Sequence, residues 1–273
     1  MLRVMTWNVR TGGRDRAADR DRTGPDRRDR LVRVVGEQWP DVLALQELRG
    51  FDAPGLAERF GDAVGMRAHL ARSWFGQPVA VLVRPPWRVL TAAGVRRPFH
   101  HAAARVTLAT AEAGPLTVVS AHLDPYCGRR RLWEAGWLVA ALRRAPGELA
   151  LLAGDLNTLE PGVDHRARIA RLPAAYRRRH LRRDGRTVET RAVARLHRAG
   201  LVDLFTHAGS GEPETAPTRY GGGAEFSNMR LDYLFGTPAL AARARDCRVV
   251  RGGATEYASD HYPVVVDLDL SPA

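Results

Sequence analysis

Lysine is missing from this 273-residue chain: all 42 basic residues are arginine. A uniform loss of one basic residue type fits GC-rich coding bias, so the choice of Arg over Lys needs no functional cause. Bias does not explain why 42 bases outweigh 30 acids, for a net charge of +12. Such an excess suits a polyanionic partner. Cysteine is scarce as well. Cys127 and Cys247 are too few for a disulfide framework and lack paired metal-ligand spacing, so both are expected to be free thiols. No apolar run reaches the ~20 residues that span a bilayer. Met1 to Trp7 leads directly into chemistry-bearing residues and leaves no room for a signal peptide. The expectation is a cytoplasmic protein without a transmembrane segment, acting as a monomer.

The surplus charge is not spread evenly. Residues 164–198 hold twelve Arg against Asp164, Asp184 and Glu189, with Tyr176 as the lone aromatic of the Phe, Trp and Tyr class. That stretch offers charge without stacking platforms, so any nucleic-acid contact it makes would be to the backbone and non-specific. The plain alternative is a solvated helical face of an Arg-rich protein. With 45% hydrophobic and 26% charged residues, the composition is ordinary for a globular chain.

Short apolar runs dominate the rest. Leu2 to Trp7, Val42 to Gln46, Val79 to Val83, Arg105 to Leu108, Leu116 to Ala121, Leu149 to Ala153, Leu231 to Phe235 and Pro263 to Leu268 read as strands. Arg10 to Asp29 reads as a polar loop broken by Gly12-Gly13 and Gly24-Pro25. Leu31, Val34, Val35 and Gln38 have helical spacing, and Leu132, Ala135, Leu138, Val139 and Leu142 repeat as one helix face. Val188 to Ala199 reads as a helix with Gly200 beyond its end. Strands with recurring helices between them fit two sheets packed face to face with helices outside. Polar residues that both halves contribute to one site argue for a single domain over residues 1–273.

Six short motifs follow one another along the chain. They are Trp7-Asn8-Val9, Leu45-Gln46-Glu47, Ala121-His122-Leu123-Asp124, Gly154-Asp155-Leu156-Asn157, Arg230-Leu231-Asp232-Tyr233 and Ser259-Asp260-His261-Tyr262. Nearly all follow or end an apolar run. Their Asn, Glu, His and Asp side chains describe a site for one or two hard divalent cations and a phosphate. Mg²⁺ suits such a set, because it prefers oxygen ligands and is held by one or two carboxylates plus substrate phosphate; Mn²⁺ is the alternative. The Asp155 to Asn157 spacing, read as extended chain, points both side chains the same way.

This ordered set resembles the endonuclease/exonuclease/phosphatase superfamily, which includes the DNase I-like nucleases, abasic-site endonucleases, neutral sphingomyelinases and inositol-polyphosphate 5-phosphatases. The resemblance covers Val4 to about Val266. It implies an α/β fold, a four-layer α/β/β/α sandwich, and phosphoester hydrolysis. It also implies roles. Glu47 would ligate the metal, with Asn8 orienting it or touching the ion and Asp260 helping to hold it. Asp155 would orient or deprotonate the attacking water, and Asn157 would bond the phosphate or the nucleophile. His261 would contact the scissile phosphate or act as base, with Asp232 fixing its tautomer. His122 resembles the second His of the DNase I and sphingomyelinase branches. Arg131 resembles an Arg that supports this loop and would bind substrate, with Arg129 and Arg130 as rivals. Asp155 and His261 would lie in an open cleft, so their substitution should leave folding nearly intact.

The substrate follows less directly. Charge and His122 point to an endonuclease of weak sequence preference acting on nucleic acid. A phosphatase or phosphodiesterase for a small phosphorylated molecule or lipid headgroup is the alternative. No hydrophobic hairpin for membrane insertion is evident beyond Trp74-Phe75. The stretch Thr218 to Asn228 lacks Trp and contains three glycines, unlike the aromatic-rich stretch of abasic-site enzymes.

Overall fold

The computed structural model describes residues 1–14, 27–219, 221 and 223–273. Most of the loop expected between Arg10 and Asp29, including Gly24-Pro25, lies outside the described residues. One six-stranded sheet contains β1 (Leu2–Asn8), β2 (Val42–Gln46), β3 (Arg67–Ala71), β4 (Val79–Val83), β11 (Ala244–Val249) and β12 (Val264–Leu268). The other contains β5 (Val89–Gly94), β6 (Ala102–Leu108), β7 (Leu116–His122), β8 (Leu149–Asp155), β9 (Val202–Asp203) and β10 (Asp232–Gly236). The spatial orders are β11-β12-β1-β2-β4-β3 and β5-β6-β7-β8-β10-β9.

The period-two alternation of the strands builds three layers of core. Leu2, Val4, Val42, Ala44, Val106, Val118, Leu151 and Leu234 fill the space between the sheets. Met5, Trp7, Leu43 and Leu45 point the other way, under helices α1 (Arg28–Gln38) and α2 (Leu56–Val64). Val119, Ala121, Ala150 and Leu152 meet Ala135 and Leu138 of α3 (Gly128–Leu142) and Val193 and Leu196 of the helix Arg191–Arg198. The result is the four-layer α/β/β/α sandwich. The helix expected from Val188 begins only at Arg191. Val188 pairs as an isolated bridge with Leu181, and the Glu189 amide donates to the His180 carbonyl at 2.9 Å, so both residues are held extended.

Strand direction places the chemistry. β1 runs parallel to β2, and β7 parallel to β8, so Asn8, Gln46, His122 and Asp155 all fall at one edge. β10 is antiparallel to β8 with Asp232 opposite Asp155, and β12 is antiparallel to β1, so β10 and β12 begin where their neighbours end. The sheets are tied beneath that edge by a buried polar knot. The Gln46 amide donates to Thr6 Oγ1 at 3.2 Å and to Ser120 Oγ at 3.1 Å, and Ser120 Oγ donates to the Leu45 carbonyl at 3.3 Å. Gly154 closes the gap: a Cβ there would lie 2.0 Å from the Ala121 carbonyl of β7, so only glycine lets the strands approach just before Asp155.

Candidate active site

The floor of the site is buried and tightly wired. Asn8, His122, Asp155, Asp232 and His261 are each at most 3% exposed. His261 Nδ1 lies 2.7 Å from Asp232 Oδ2, which also accepts from Thr215 Oγ1 at 2.6 Å. Asp155 Oδ2 accepts from the Asn8 amide at 2.9 Å and faces two imidazoles, with His122 Nε2 at 3.4 Å and His261 Nε2 at 4.0 Å. The Asp155, Asp232 and His261 donor atoms all fall within 4.8 Å of one another. The expectation of an open cleft for Asp155 and His261 is therefore corrected. They form its buried floor, because both sheets close over them, and substituting either disturbs packing as well as chemistry.

Burial sorts the protonation states. Burial and the neighbouring Asp232 charge push the Asp155 carboxyl up to about 7. Burial alone would lower His261, but the charge and hydrogen bond of Asp232, with Asp155 and Asp260 nearby, hold it well above the usual imidazole range. His122 is pushed down to about 3 by burial and then by the His261 charge. Positive charge thus belongs to His261, while His122 stays neutral and Asp155 can exchange a proton near neutrality.

Glu47, Asn157 and Asp260 form the more accessible rim. Glu47 has a left-handed backbone, φ 58°, just past β2. That conformation costs about 1 to 3 kcal/mol for a non-glycine residue. It is held by Gly12 and Arg49 amides on the Glu47 carbonyl, at 2.6 and 2.8 Å. The carboxylate takes the Thr11 amide and the Gln77 side chain on Oε2, at 3.1 and 3.2 Å, and the Asn8 amide on Oε1 at 3.2 Å. Asn8 therefore bridges Glu47 and Asp155. Asp260 is raised by burial, with His261 opposing and Glu47 adding repulsion, and Arg10 Nε stands 3.5 Å away.

Asn157 departs from the expected extended geometry. Its φ is 47°, its amide N–H donates to Asp155 Oδ1 at 2.8 Å, and its side-chain amide donates to the Leu123 carbonyl at 3.1 Å. Gly-Asp-Leu-Asn is an Asx turn that swings Asn157 onto the His122 loop. Arg131 is also corrected as a substrate contact. It is completely buried and donates to the carbonyls of Asp124 (3.1 Å) and Arg179 (2.7 Å), so it braces the loop after His122 from beneath. Its rivals stay outside the floor: Arg129 lies over Trp133, and Arg130 donates to the Pro98 carbonyl.

Several contributors escape the motif reading. His101 stacks on His122 with ring centroids 4.2 Å apart, and its neighbour His100 stacks on Phe75. The adjacent His100-His101 at the start of β6 was the available signal. Nothing in the spacing of Thr215 or Gln77 marks them. Within the motifs, Arg230 pairs bidentately with buried Asp203, at 2.7 and 2.6 Å, and Tyr233 donates to the Thr158 carbonyl at 2.9 Å. These two anchor the Asp232 and Asn157 segments. Trp7 Nε1 donates to the His261 carbonyl at 2.8 Å, and Ser259 Oγ donates to the Asn8 carbonyl at 2.7 Å, clamping the first motif to the last.

The donor set fits a divalent cation. Asn8 joins Glu47 to Asp155, and Asp260 lies within the field of Glu47; Asp155 is raised by burial and Asp232, Asp260 by burial and Glu47, with His261 and Arg10 as the nearby side-chain cations. A hard cation among oxygen donors relieves that repulsion.

Paired sheets carrying carboxylates and a buried His–Asp pair at one edge define a phosphoesterase. The comparisons agree. The model of the Endonuclease/Exonuclease/phosphatase family matches residues 5–261, and the chain belongs to that family, whose members are hydrolases of phosphate esters and are generally divalent-metal dependent. No curated protein matches the sequence. Among solved structures, an endonuclease/exonuclease/phosphatase from Bacteroides vulgatus is similar at 16% identity and TM-score 0.74, covering 99% of each chain. An AP endonuclease from Archaeoglobus fulgidus is similar at 20% identity and TM-score 0.70, covering 98% of this chain and 100% of that one. A mannosyl-6-phosphatase from Bacteroides thetaiotaomicron is similar at 16% identity and TM-score 0.70, covering 98% and 99%. These likenesses describe the fold. No helix among the described residues is long and apolar enough to cross a membrane. Cys127 and Cys247 are free, as expected.

Proposed function

We propose that the chain is one catalytic domain that hydrolyses phosphodiesters in nucleic acid with Mg²⁺, cutting as an endonuclease of weak sequence preference. The observation that carries the chemistry is Asp155 set between His122 and His261, 3.4 and 4.0 Å from their Nε2 atoms. Glu47, Asn8 and Asp260 would hold the cation, which would polarise a phosphoryl oxygen and offset the charge growing on it. Asp155 accepts the proton of the attacking water as its oxygen bonds to phosphorus and the P–O bond to the departing strand breaks, and the departing oxygen takes up a proton from solvent. Positively charged His261, steadied by Asp232, donates to a phosphate oxygen. Neutral His122 donates a hydrogen bond to the phosphate from the far side of Asp155, and Asn157 supports the phosphate from the rim. The net charge of +12 favours a polyanionic substrate.

The test is nicking of supercoiled plasmid by metal-stripped protein, with and without Mg²⁺ or Mn²⁺, beside an Asp155→Asn variant. Metal-dependent nicking lost in the variant supports the reading. Absence of nicking with either metal overturns it in favour of a phosphatase acting on a small phosphorylated molecule or lipid headgroup. The similarity in fold to a mannosyl-6-phosphatase keeps that second reading in view.

A further inference from the structure

A cavity of about 800 Å³ opens beside the loop that leads away from His122. Tyr126 stands at its lip, and six arginines line it, among them Arg178, Arg182 and Arg183, against Asp184 and Glu189. Both acids are already engaged. Glu189 is buried and pairs with Arg191. Asp184 accepts the amides of Arg186 and Thr187, each at 2.9 Å, and the Thr187 hydroxyl at 2.6 Å. Arg178, Arg182 and Arg183 are exposed and form no ion pair among the described residues. A guanidinium free of ion pairs can bind two phosphate oxygens at once in a bidentate fork, and three of them line this cavity.

A run of ring contacts links the cavity to the candidate active site, from Tyr126 through His100 and His101 to His122. The Phe75 ring stacks on His100 at 4.5 Å, and His100 meets Tyr126 edge-on at 5.7 Å. Phe75 is 58% and Tyr126 60% exposed, and the Arg179 guanidinium lies over the Tyr126 ring 5.1 Å from its centroid. Tyr126 lies four residues past His122, which bounds their separation at about 14 Å of chain. A nucleic-acid strand with a phosphate every ~3.4 Å of duplex axis covers that span in about four nucleotides.

We propose that this cavity is a phosphate subsite for a nucleic-acid strand, taking backbone phosphates a few nucleotides from the scissile one while Tyr126 offers a base a stacking face. The assignment rests on the nuclease reading above. It gives the Arg-rich segment a role that its sequence alone left open between phosphate contact and a solvated face.

The test compares Arg182→Ala/Arg183→Ala with the unsubstituted residues, both exposed and remote from the catalytic floor. Binding of a fluorescent single-stranded oligonucleotide is followed across salt concentrations in an Asp155→Asn background, so that bound strand is not cut. Each lost phosphate contact makes the slope of log affinity against log salt shallower by about 0.7, so the double variant should lose about 1.4. Hydrolysis of bis(4-nitrophenyl) phosphate, too small to reach the cavity, should be unchanged by the same pair of substitutions. An unmoved slope in a protein that does cleave oligonucleotide overturns the subsite and leaves the nuclease reading standing. Failure of the unsubstituted protein to bind or cut oligonucleotide overturns both. Arginine-dependent binding of tripolyphosphate, with the oligonucleotide slope unmoved, assigns the cavity to a small free anion and also overturns the proposal.

Discussion

Replacing Asp232 by Asn probes the floor of the site most sharply. Oδ2 of Asp232 accepts from both His261 Nδ1 (2.7 Å) and Thr215 Oγ1 (2.6 Å), while Oδ1 is buried without a partner. An asparagine can keep both bonds only by placing its carbonyl where Oδ2 lies. Its NH₂ then occupies the buried Oδ1 position with no acceptor, at a cost of about 1 to 3 kcal/mol. At about 2 to 4 °C per kcal/mol, Tm should fall by ~2 to 12 °C. Loss of the charge matters separately. A hydrogen bond to a charged group contributes about 1.5 to 3 kcal/mol, and 1.36 kcal/mol corresponds to about one pKa unit. His261 should therefore titrate about 1 to 2 units lower in Asp232→Asn, read by NMR in metal-free protein with its signal assigned by loss in His261→Asn. The sign for stability follows: a raised imidazole pKa stabilises the fold fully below the unfolded value of about 6.5, and that gain disappears as pH rises through the folded value. The stability gap between wild type and variant should narrow accordingly at high pH. Phosphodiester hydrolysis should drop about 10² to 10⁴-fold, the usual share of a positioned acid or base. An unmoved His261 titration, or a rate within a few fold of wild type, would refute the pairing as the source of the His261 charge.

Glu47→Gln should weaken Mg²⁺ or Mn²⁺ binding by at least about 10-fold, read by isothermal titration, and the metal-free protein should melt a few degrees lower, because a glutamine NH₂ must face either the Asn8 amide or the Thr11 and Gln77 donors; unchanged affinity would remove Glu47 from the ligand set. With the Asp155 pKa near 7, the carboxyl is neutral below and ionised above, so kcat/KM should rise with pH through this region. A bound cation would shift the midpoint downward toward the ordinary carboxylate value of about 3.9, so a profile that stays flat down through that value would exclude Asp155 as the proton acceptor. Arg131→Met should cost about 2 kcal/mol or more by leaving the Asp124 and Arg179 carbonyls unpaired in the interior. KM of the folded fraction should stay unchanged; a selective rise in KM would restore Arg131 as a substrate contact.

What the sequence reveals follows burial. The eight strands legible as apolar runs are the inner strands of the two sheets, packed on both faces. The four that leave no clear run, β3, β5, β9 and β11, are the outermost strands in the two spatial orders. An edge strand has a neighbour on one side only and needs less apolar surface; β5 is exposed along most of its length, and β3 and β11 are largely half-buried. Backbone pairing, which any residue supplies, holds them in place, so composition carries little trace of them.

The same logic divides the site. Asn8, Glu47, His122, Asp155, Asp232 and His261 are legible because each is a polar residue that interrupts or ends an apolar run, and strand direction then brings those ends to one edge. Residues that act through these polar groups are hidden. Thr215 reaches Asp232, Gln77 reaches Glu47 and His101 covers His122 from segments with no spacing of their own. Asn157 does not take the extended geometry its spacing suggested, because a left-handed turn, not an extended strand, follows Asp155. Arg131 shows the opposite limit. A charged side chain on a helix looks like a hand for substrate, yet α3 packs that face inward and the guanidinium spends its donors on two carbonyls. The loop carrying His122 toward Tyr126 and the arginine-lined cavity is thus fixed from below by one arginine, while the arginines free to meet phosphate lie across the cavity on the segment that follows Asn157.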